Sequence, residues 1–248
     1  MASQGDWTTG DESSCKRDGT PAPSTVARID ALMEWALLAV LTEHDRRELL
    51  SHARRRRFAK GEAIFHEGDP GESLHLVASG HVAVRLTTPL GDQTTLRIIG
   101  AGGWFGELAL LLPAPRNATI IPLDPVETLV LHRDQIADVR ERVPAFDHVV
   151  ANALVIEVRR LSVALLEALF VPADKRILRR LADLAGVYGF GEGPVVIPLT
   201  QDEVAQLAGT TRPTVNKVLQ AAAAAGLVNL RRGQIEIYDA AGLARRGH

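Results

Sequence analysis

The residues with the clearest chemistry lie in one stretch, Phe105-Gly106-Glu107-Leu108-Ala109-Leu110-Leu111-Leu112-Pro113-Ala114-Pro115-Arg116-Asn117-Ala118-Thr119. Gly102 and Gly103 allow a tight turn before it, and Gly106-Glu107-Leu108 opens a short predicted helix. The first amide groups of a helix have no partner inside it and together carry about half a positive charge, so an anion can sit there. Arg116 follows Glu107 by nine residues across a Pro-X-Pro turn, and its planar fork suits the paired oxygens of a phosphate. Glu107 is an acceptor and suits a ribose hydroxyl. Anion site, guanidinium and hydroxyl acceptor together describe a sugar phosphate. The alternative pairs Glu107 with Arg116 in a salt bridge and leaves the glycines to the turns.

A second constellation lies near the C-terminus. Thr200-Gln201-Asp202-Glu203 is a capping box that starts a helix with Val204, Leu207 and Ala208 inward. Gly209 supplies a turn, Thr211 is expected to cap the next helix, and Pro213 is tolerated in its first turn. Val215, Val218 and Leu219 form the buried stripe of that helix, which leaves Arg212, Asn216 and Lys217 on the opposite face. Arg reads guanine bidentately, and Asn and Thr reach bases or phosphates. The alternative is a solvated helix end. The alanines ending at Ala225 propagate the helix and Gly226 stops it.

These groups need elements to hold them. Residues 1–27 are rich in Ser, Thr, Gly, Pro and Asp without apolar periodicity and read as a disordered tail. Ile29, Leu32, Met33, Ala36, Leu37 and Val40 recur at helical spacing, and a second short helix runs from Thr42 through Leu50. From Arg54 to Leu131 short apolar runs alternate with glycines nine to eleven residues apart at Gly61, Gly71, Gly80, Gly91 and Gly100. Strands such as Leu74 to Val77, His81 to Leu86 and Thr94 to Ile99 between such turns predict an antiparallel barrel or roll, with Arg54 to Arg57 on a roll edge. His132, Asp134 and Glu141 read as solvated positions near its end.

After Pro144 an apolar-periodic run without Gly or Pro reaches Phe170. Ala151, Leu154, Val158, Leu161, Leu165 and Ala168 alternate steps of three and four, the seam of a two-stranded coiled coil about 39 Å long. Polar Glu157, Arg159, Arg160 and Glu167 flank the seam, which favours a second copy of the chain as its partner. Pro172 ends this helix. A helix from Asp174 to Val187, a turn at Gly189 to Pro194, a strand Val195 to Ile197, the helix pair, and a strand-turn-strand from Leu227 to Tyr238 follow.

Composition narrows the function classes. The 248 residues are 46% hydrophobic and 23% charged, a globular profile of one or two domains. No apolar run approaches the roughly 18 residues of a membrane helix, and Asp6, Asp11 and Glu12 stand where a secretory signal would be basic then apolar. A single cysteine, Cys15, gives no internal disulfide and no cysteine cluster, which fits a cytoplasmic protein. The net charge of -2 is polarised: Pro172 to His248 carry ten basic and seven acidic residues, or +3, and the remainder carries -5. Only the C-terminal third suits a polyanion. No Gly-rich loop ending in Lys-Ser/Thr, no Gly-X-Ser-X-Gly and no His-Glu-X-X-His is present, which argues against a nucleotide-regulated enzyme. His66, His75 and His81 fall on the roll and read as packed or surface residues more readily than as haem ligands.

The stretch around Glu107 and Arg116 closely resembles the cyclic-nucleotide-binding signature Phe-Gly-Glu-Leu-Ala-Leu, four residues, Arg, a small residue, Ala-Thr, without insertion or deletion. Gly61-Glu62-Ala63-Ile64-Phe65, Glu67-Gly68-Asp69 and Ser79-Gly80-His81-Val82 are similar to the family's strand and turn motifs. Leu199 to Leu219 is similar to the winged helix-turn-helix of the cyclic AMP receptor protein and fumarate-nitrate regulator superfamily. The resemblance covers about residues 28–240. It implies an α+β chain with a cyclic-nucleotide-binding β-roll over 28–144, a dimerisation helix over 145–171 and a winged helix-turn-helix over 172–248. By the same resemblance Gly106, Glu107 and Leu108 would bind cyclic phosphate and ribose, Arg116 would neutralise the phosphate, and Asn117 stands where the family has a small residue. Leu161-Ser162 aligns with a Thr-Ser pair that contacts adenine, the Ser from the partner subunit; Ser162 keeps the hydroxyl and Leu161 does not match.

The candidate DNA contacts are Thr200, Gln201, Thr211, Arg212, Thr214, Asn216 and Lys217. Arg212 matches the family's base-reading Arg, Pro213 and Lys217 depart from the receptor's pattern, and Arg231 and Arg232 would sit at the wing tip. The function implied is a homodimeric transcription regulator on a two-fold-symmetric duplex site. It would work with RNA polymerase, carry no covalent cofactor, and respond to cyclic AMP first. Cyclic GMP, a haem-bound gas or weak ligand dependence are the alternatives.

Overall fold

The computed structural model describes residues 35–108, 114–189 and 193–248. Its described chain opens with a 3-10 turn, Ala36–Leu38, where sequence spacing predicts a longer α-helix from Ile29 to Val40. The indole Nε1 of Trp35 donates to the Val77 carbonyl at 3.3 Å, and Leu37 and Leu38 are buried while Val40 is exposed. Consecutive buried side chains suit a tight turn pinned to a sheet better than one face of an α-helix. The rest of that predicted helix, the tail 1–27 and Cys15 lie outside the described residues. Helix α1 (Glu43–Ser51) follows, capped by Thr42, whose side chain accepts from the Asp45 amide.

Seven strands then form two sheets. They are β1 (Arg54–Phe58), β2 (Ser73–Ser79), β3 (Val82–Thr87), β4 (Gln93–Ile99), β5 (Trp104–Phe105), β6 (Thr119–Pro122) and β7 (Val126–His132). One sheet has the order β1-β7-β2-β5 and the other β4-β3-β6, and every pairing is antiparallel. Val77, Val82, Ile99, Phe105, Ile120 and Val126 share one buried cluster between them. The expected edge strand is β1: Arg55 and Arg57 both reach Glu127 on β7, at 2.9 and 2.8 Å, so two of the four arginines are committed to cross-strand pairs.

Helix α2 (Arg133–Arg142) leads into the long helix α3 (Ala145–Phe170), whose bounds match the uninterrupted apolar run. Phe146 and Val150 are buried, but Val158, Leu165 and Leu169 on the seam side are more than half exposed. Arg160 ties α3 to the sheet, donating to the Leu96 carbonyl at 2.9 Å. The C-terminal module comprises α4 (Ala173–Tyr188), β8 (Val195–Ile197), α5 (Gln201–Ala208), α6 (Arg212–Ala224), β9 (Val228–Arg231), β10 (Gln234–Ile237) and α7 (Ala240–Gly247). Its sheet runs β8-β10-β9, so the predicted hairpin gains the short strand β8 as a third member. Helix α7 is absent from the sequence expectation. Asp239 caps it by accepting from the Gly242 amide, and Leu243 is buried.

The module packs on the β4-β3-β6 sheet. Ala83 of that sheet and Leu123 just beyond it belong to the same buried cluster as Ile177, Leu181, Val204 and Leu219 of the module. His81 stacks on Tyr188 with ring centroids 3.9 Å apart. Among the described residues no helix is long and apolar enough to cross a membrane.

Candidate functional site

Strand pairing assembles the first site. β5 lies on β2 with His75 opposite Phe105, which places Gly106 and Glu107 at the end of that strand pair. Arg116 arrives from the other side on the bridge between Pro70 and Pro115: its amide donates to the Asp69 carbonyl and its own carbonyl accepts from the Gly68 amide, both at 2.8 Å. The backbone of Gly106 has a φ of +91°. A Cβ there would lie 2.7 Å from both Arg116 Nη1 and the Ser73 carbonyl, so glycine is required by conformation and by space together.

The Arg116 side chain is buried, with the residue 7% exposed. Its Nη2 donates to the carbonyl and the hydroxyl of Ser73 at 2.8 and 2.9 Å, and its guanidinium carbon sits 4.0 Å from the centre of the Phe65 ring. Nε is buried without a hydrogen-bond partner, and no carboxylate among the described residues pairs with the group. Burial pulls its pKa down, opposed by the more distant carboxylates of Asp69 and Glu107. Guanidinium stays charged under any such pull, so this is a buried cation with an unused donor.

A cavity of about 360 Å³ opens beside it. One end is walled by Gly106, Glu107, Leu108, Arg116 and Asn117; the other by Leu154, Val158 and Leu161 of α3, with Arg97 and Glu157 alongside. Glu107 makes no ion pair with Arg116 or with any other described residue, so the salt-bridge alternative does not hold and its carboxylate is open to a hydroxyl donor. The short helix expected after Glu107 falls mainly on 109–113, outside the described residues. Ser162 is not brought to this cavity by its own chain: it is exposed, and its hydroxyl donates to the Val158 carbonyl one turn back at 2.9 Å. Leu161 lines the cavity instead.

Several site residues carry no local sequence signal. Ser73 lies 43 positions from Arg116 and Phe65 meets it only through the fold. Arg97 and Glu157, 60 positions apart, pair at 3.3 Å on the cavity wall, and hydrogen bonding from Arg160 lowers the Glu157 pKa. His75 is buried and stacks on Phe105 at 4.9 Å; desolvation, then the nearby Arg116, pushes its pKa down to about 3. It is a neutral packed histidine, as expected for the roll.

The second site is the helix pair α5–α6. The predicted capping box is present: the Thr200 hydroxyl accepts from the Glu203 amide at 3.2 Å, and the Glu203 carboxylate accepts from the Thr200 amide at 2.7 Å. Gly209 turns the chain with a φ of +59°. Thr211 stands at the N-cap of α6 but does not cap it by side chain; its hydroxyl meets that of Thr214 at 3.0 Å, beside Pro213, whose ring nitrogen offers no donor. Val215 and Leu219 are fully buried. The opposite face presents Arg212, Asn216 and Lys217, all exposed. Gln201 donates to Asn216 at 3.3 Å and Arg212 approaches Asp202 at 3.5 Å, so the ends of the two helices form one polar surface. At the hairpin tip Arg231 pairs with Glu236 at 2.8 Å, and Arg232 is exposed.

Comparison with known proteins follows the same division. A cyclic nucleotide-binding domain model matches residues 55–143, and a Crp-like helix-turn-helix domain model matches residues 175–246. The CRP-like cAMP-activated global transcriptional regulator of Mycobacterium tuberculosis is 33% identical over 192 residues, covering 76% of this chain and 86% of that protein. The cyclic AMP receptor protein of Thermus thermophilus is 36% identical over 192 residues, covering 77% and 87%. Among solved structures, a CRP-family transcriptional regulator from Thermus thermophilus superposes with a TM-score of 0.65 at 26% identity, over 77% of this chain and 96% of that one. These full-length relatives are regulators and not enzymes. With a nucleotide-binding roll, a long helix and a winged helix-turn-helix in one order, the chain belongs to the Crp/Fnr family of DNA-binding transcription regulators.

Proposed function

We propose that the chain is a homodimeric regulator whose affinity for a two-fold-symmetric DNA site is set by cyclic AMP bound in the roll. The observation that carries this reading is Arg116, a buried guanidinium that, among the described residues, has an unpartnered Nε and no paired carboxylate, at the base of a cavity lined also by Glu107, which has no ion pair among those residues. The residues fit a cyclic phosphate on Arg116, Gly106, Leu108 and Asn117, a ribose hydroxyl on Glu107, and a base against Leu154, Val158 and Leu161. Two relatives above 30% identity are named for cyclic AMP, which ranks it before cyclic GMP.

The functional units run over 28–144, 145–171 and 172–248. In the dimer the exposed α3 stripe meets its copy, and Ser162 of each protomer faces the other's base. Thr200, Gln201, Thr211, Arg212, Thr214, Asn216 and Lys217 meet the duplex, with the second helix in the major groove and the two modules about 34 Å apart. Ligand shifts the modules by binding one arrangement better than the other, and the shift is limited by that difference. RNA polymerase is the partner at the promoter, and the cytoplasm is the site of action.

Isothermal titration of cyclic AMP and cyclic GMP into the purified chain tests the reading. Saturable heat with cyclic AMP is expected, with at least a roughly tenfold loss in Arg116→Ala, the equivalent of one charge-assisted contact. No heat with either nucleotide sinks it; tighter binding of cyclic GMP promotes the runner-up.

A further inference from the structure

The seam side chains Leu154, Val158, Leu161 and Leu165 follow one stripe of α3, but the helix carries a second aliphatic pair. Ile156 and Val163 each lie two residues beyond a seam position, about 200° around the axis at roughly 100° per residue, so they face away from the seam. They are nonetheless 67% and 56% exposed. Both wall a cleft of about 690 Å³ where three parts of the fold meet: Ile98 of β4, Leu184 of α4 and Leu207 of α5 form the facing walls. That volume falls within the roughly 300–1,000 Å³ of small-molecule sites, which favour junctions between domains.

The cleft's polar groups are specific. Arg97, Arg159, Arg160 and Arg180 stand against Glu167 and Asp183. Arg97 and Arg160 are held by Glu157, and Arg180 by Glu167 and Asp183. Arg159 has no ion pair among the described residues. Among the described residues no aromatic side chain lines the cleft, so these residues offer a base nothing to stack on.

We infer that this cleft binds a small amphipathic monoanion, with an aliphatic body against Ile156, Val163, Leu184 and Leu207 and one carboxylate on Arg159. The cleft shares Leu96 and Arg97 with the wall of the nucleotide cavity but none of Gly106, Glu107, Arg116 or Asn117. It touches the sheet, the long helix and the C-terminal module at once.

Decanoate titrated into the full chain, both free and saturated with cyclic AMP, tests the assignment. Saturable binding of one decanoate per chain is expected, weakened about tenfold in Arg159→Ala, the loss of one charge-assisted contact, and kept within about threefold in Arg159→Lys. Val163→Trp, which fills the cleft from an exposed position, is expected to abolish it, while Val155→Ala leaves it unchanged. Absence of saturable heat, wild-type affinity in Val163→Trp, or displacement of decanoate by cyclic AMP would each overturn the site. The same titration runs on Arg116→Ala, so failure of the nucleotide reading leaves this one standing or falling by itself.

Discussion

Arg116 and His75 show how a single position divides between stability and function. A buried cation without a counter-charge costs several kcal/mol that the three contacts to Ser73 and Gly106 only partly offset, an arrangement that makes sense when an anion completes it. His75 sits two residues from Ser73 and bonds Thr128 at 3.2 Å. Its folded pKa of about 3 lies below the ordinary 6.5, so the unfolded chain takes up a proton that the fold refuses. Stability held above pH 6.5 is therefore lost as pH falls toward 3, at up to about 1.4 kcal/mol per unit. Urea midpoints measured from about pH 7 to about pH 4.5, within that window, are expected to fall less steeply in His75→Gln than in the wild type; parallel slopes would rule this out. The signature around Glu107 and Arg116 was legible because it is contiguous. Ser73, Phe65, Arg97 and Glu157 were not, because strand pairing and helix docking bring them there from distant positions and no spacing rule reports that.

At the scale of elements, sequence periodicity worked where one face of a regular element decides the pattern. The bounds of α3, the capping box of α5 and the buried stripe of α6 all follow that rule. It failed where tertiary contact overrides it: Trp35 and Leu37 bend the first segment into a 3-10 turn, and Thr211 turns its hydroxyl to Thr214. The exposed seam of α3 leads to a direct expectation. Val158 and Leu165 are each 61% exposed, so a charge at either place costs the single chain little but would be buried at the proposed dimer interface. Val158→Asp/Leu165→Asp is expected to sediment as a monomer with unchanged helix content, and a dimer would contradict the seam. On α6, Arg212→Ala is expected to cost about 1–3 kcal/mol on the preferred operator and to relax base preference. Lys217→Ala should weaken all sequences alike and lower the salt slope by about one. Competition gel shifts at several salt concentrations separate the two.

The whole molecule is joined by a few charged side chains at the hinge. Glu167, 8% exposed at the end of α3, holds Arg179 at 2.8 Å and Arg180 at 2.5 Å on α4. Arg176 gathers three carbonyls that come from different places: Val171 in the hinge at 2.7 Å, Ala208 at the end of α5 at 3.1 Å and Gly209 in the helix-turn-helix turn at 2.9 Å. Carbonyls at helix ends have no partner within the helix, and a cation there is favoured by the helix dipole as well as by its hydrogen bonds. One side chain thus fixes the turn of the DNA module to the hinge, and neither it nor its three partners lines the nucleotide cavity. Charge-assisted contacts of this kind are worth about 1.5–3 kcal/mol each when intact and less where water competes. Arg176→Ala is therefore expected to leave cyclic AMP affinity within about twofold and to weaken operator binding about tenfold, with a smaller difference between liganded and free protein. Titration calorimetry and gel shift on the same preparation check it. Loss of nucleotide binding would place Arg176 in the sensor instead, and unchanged operator affinity with an unchanged response to ligand would show that the hinge holds the DNA module without it.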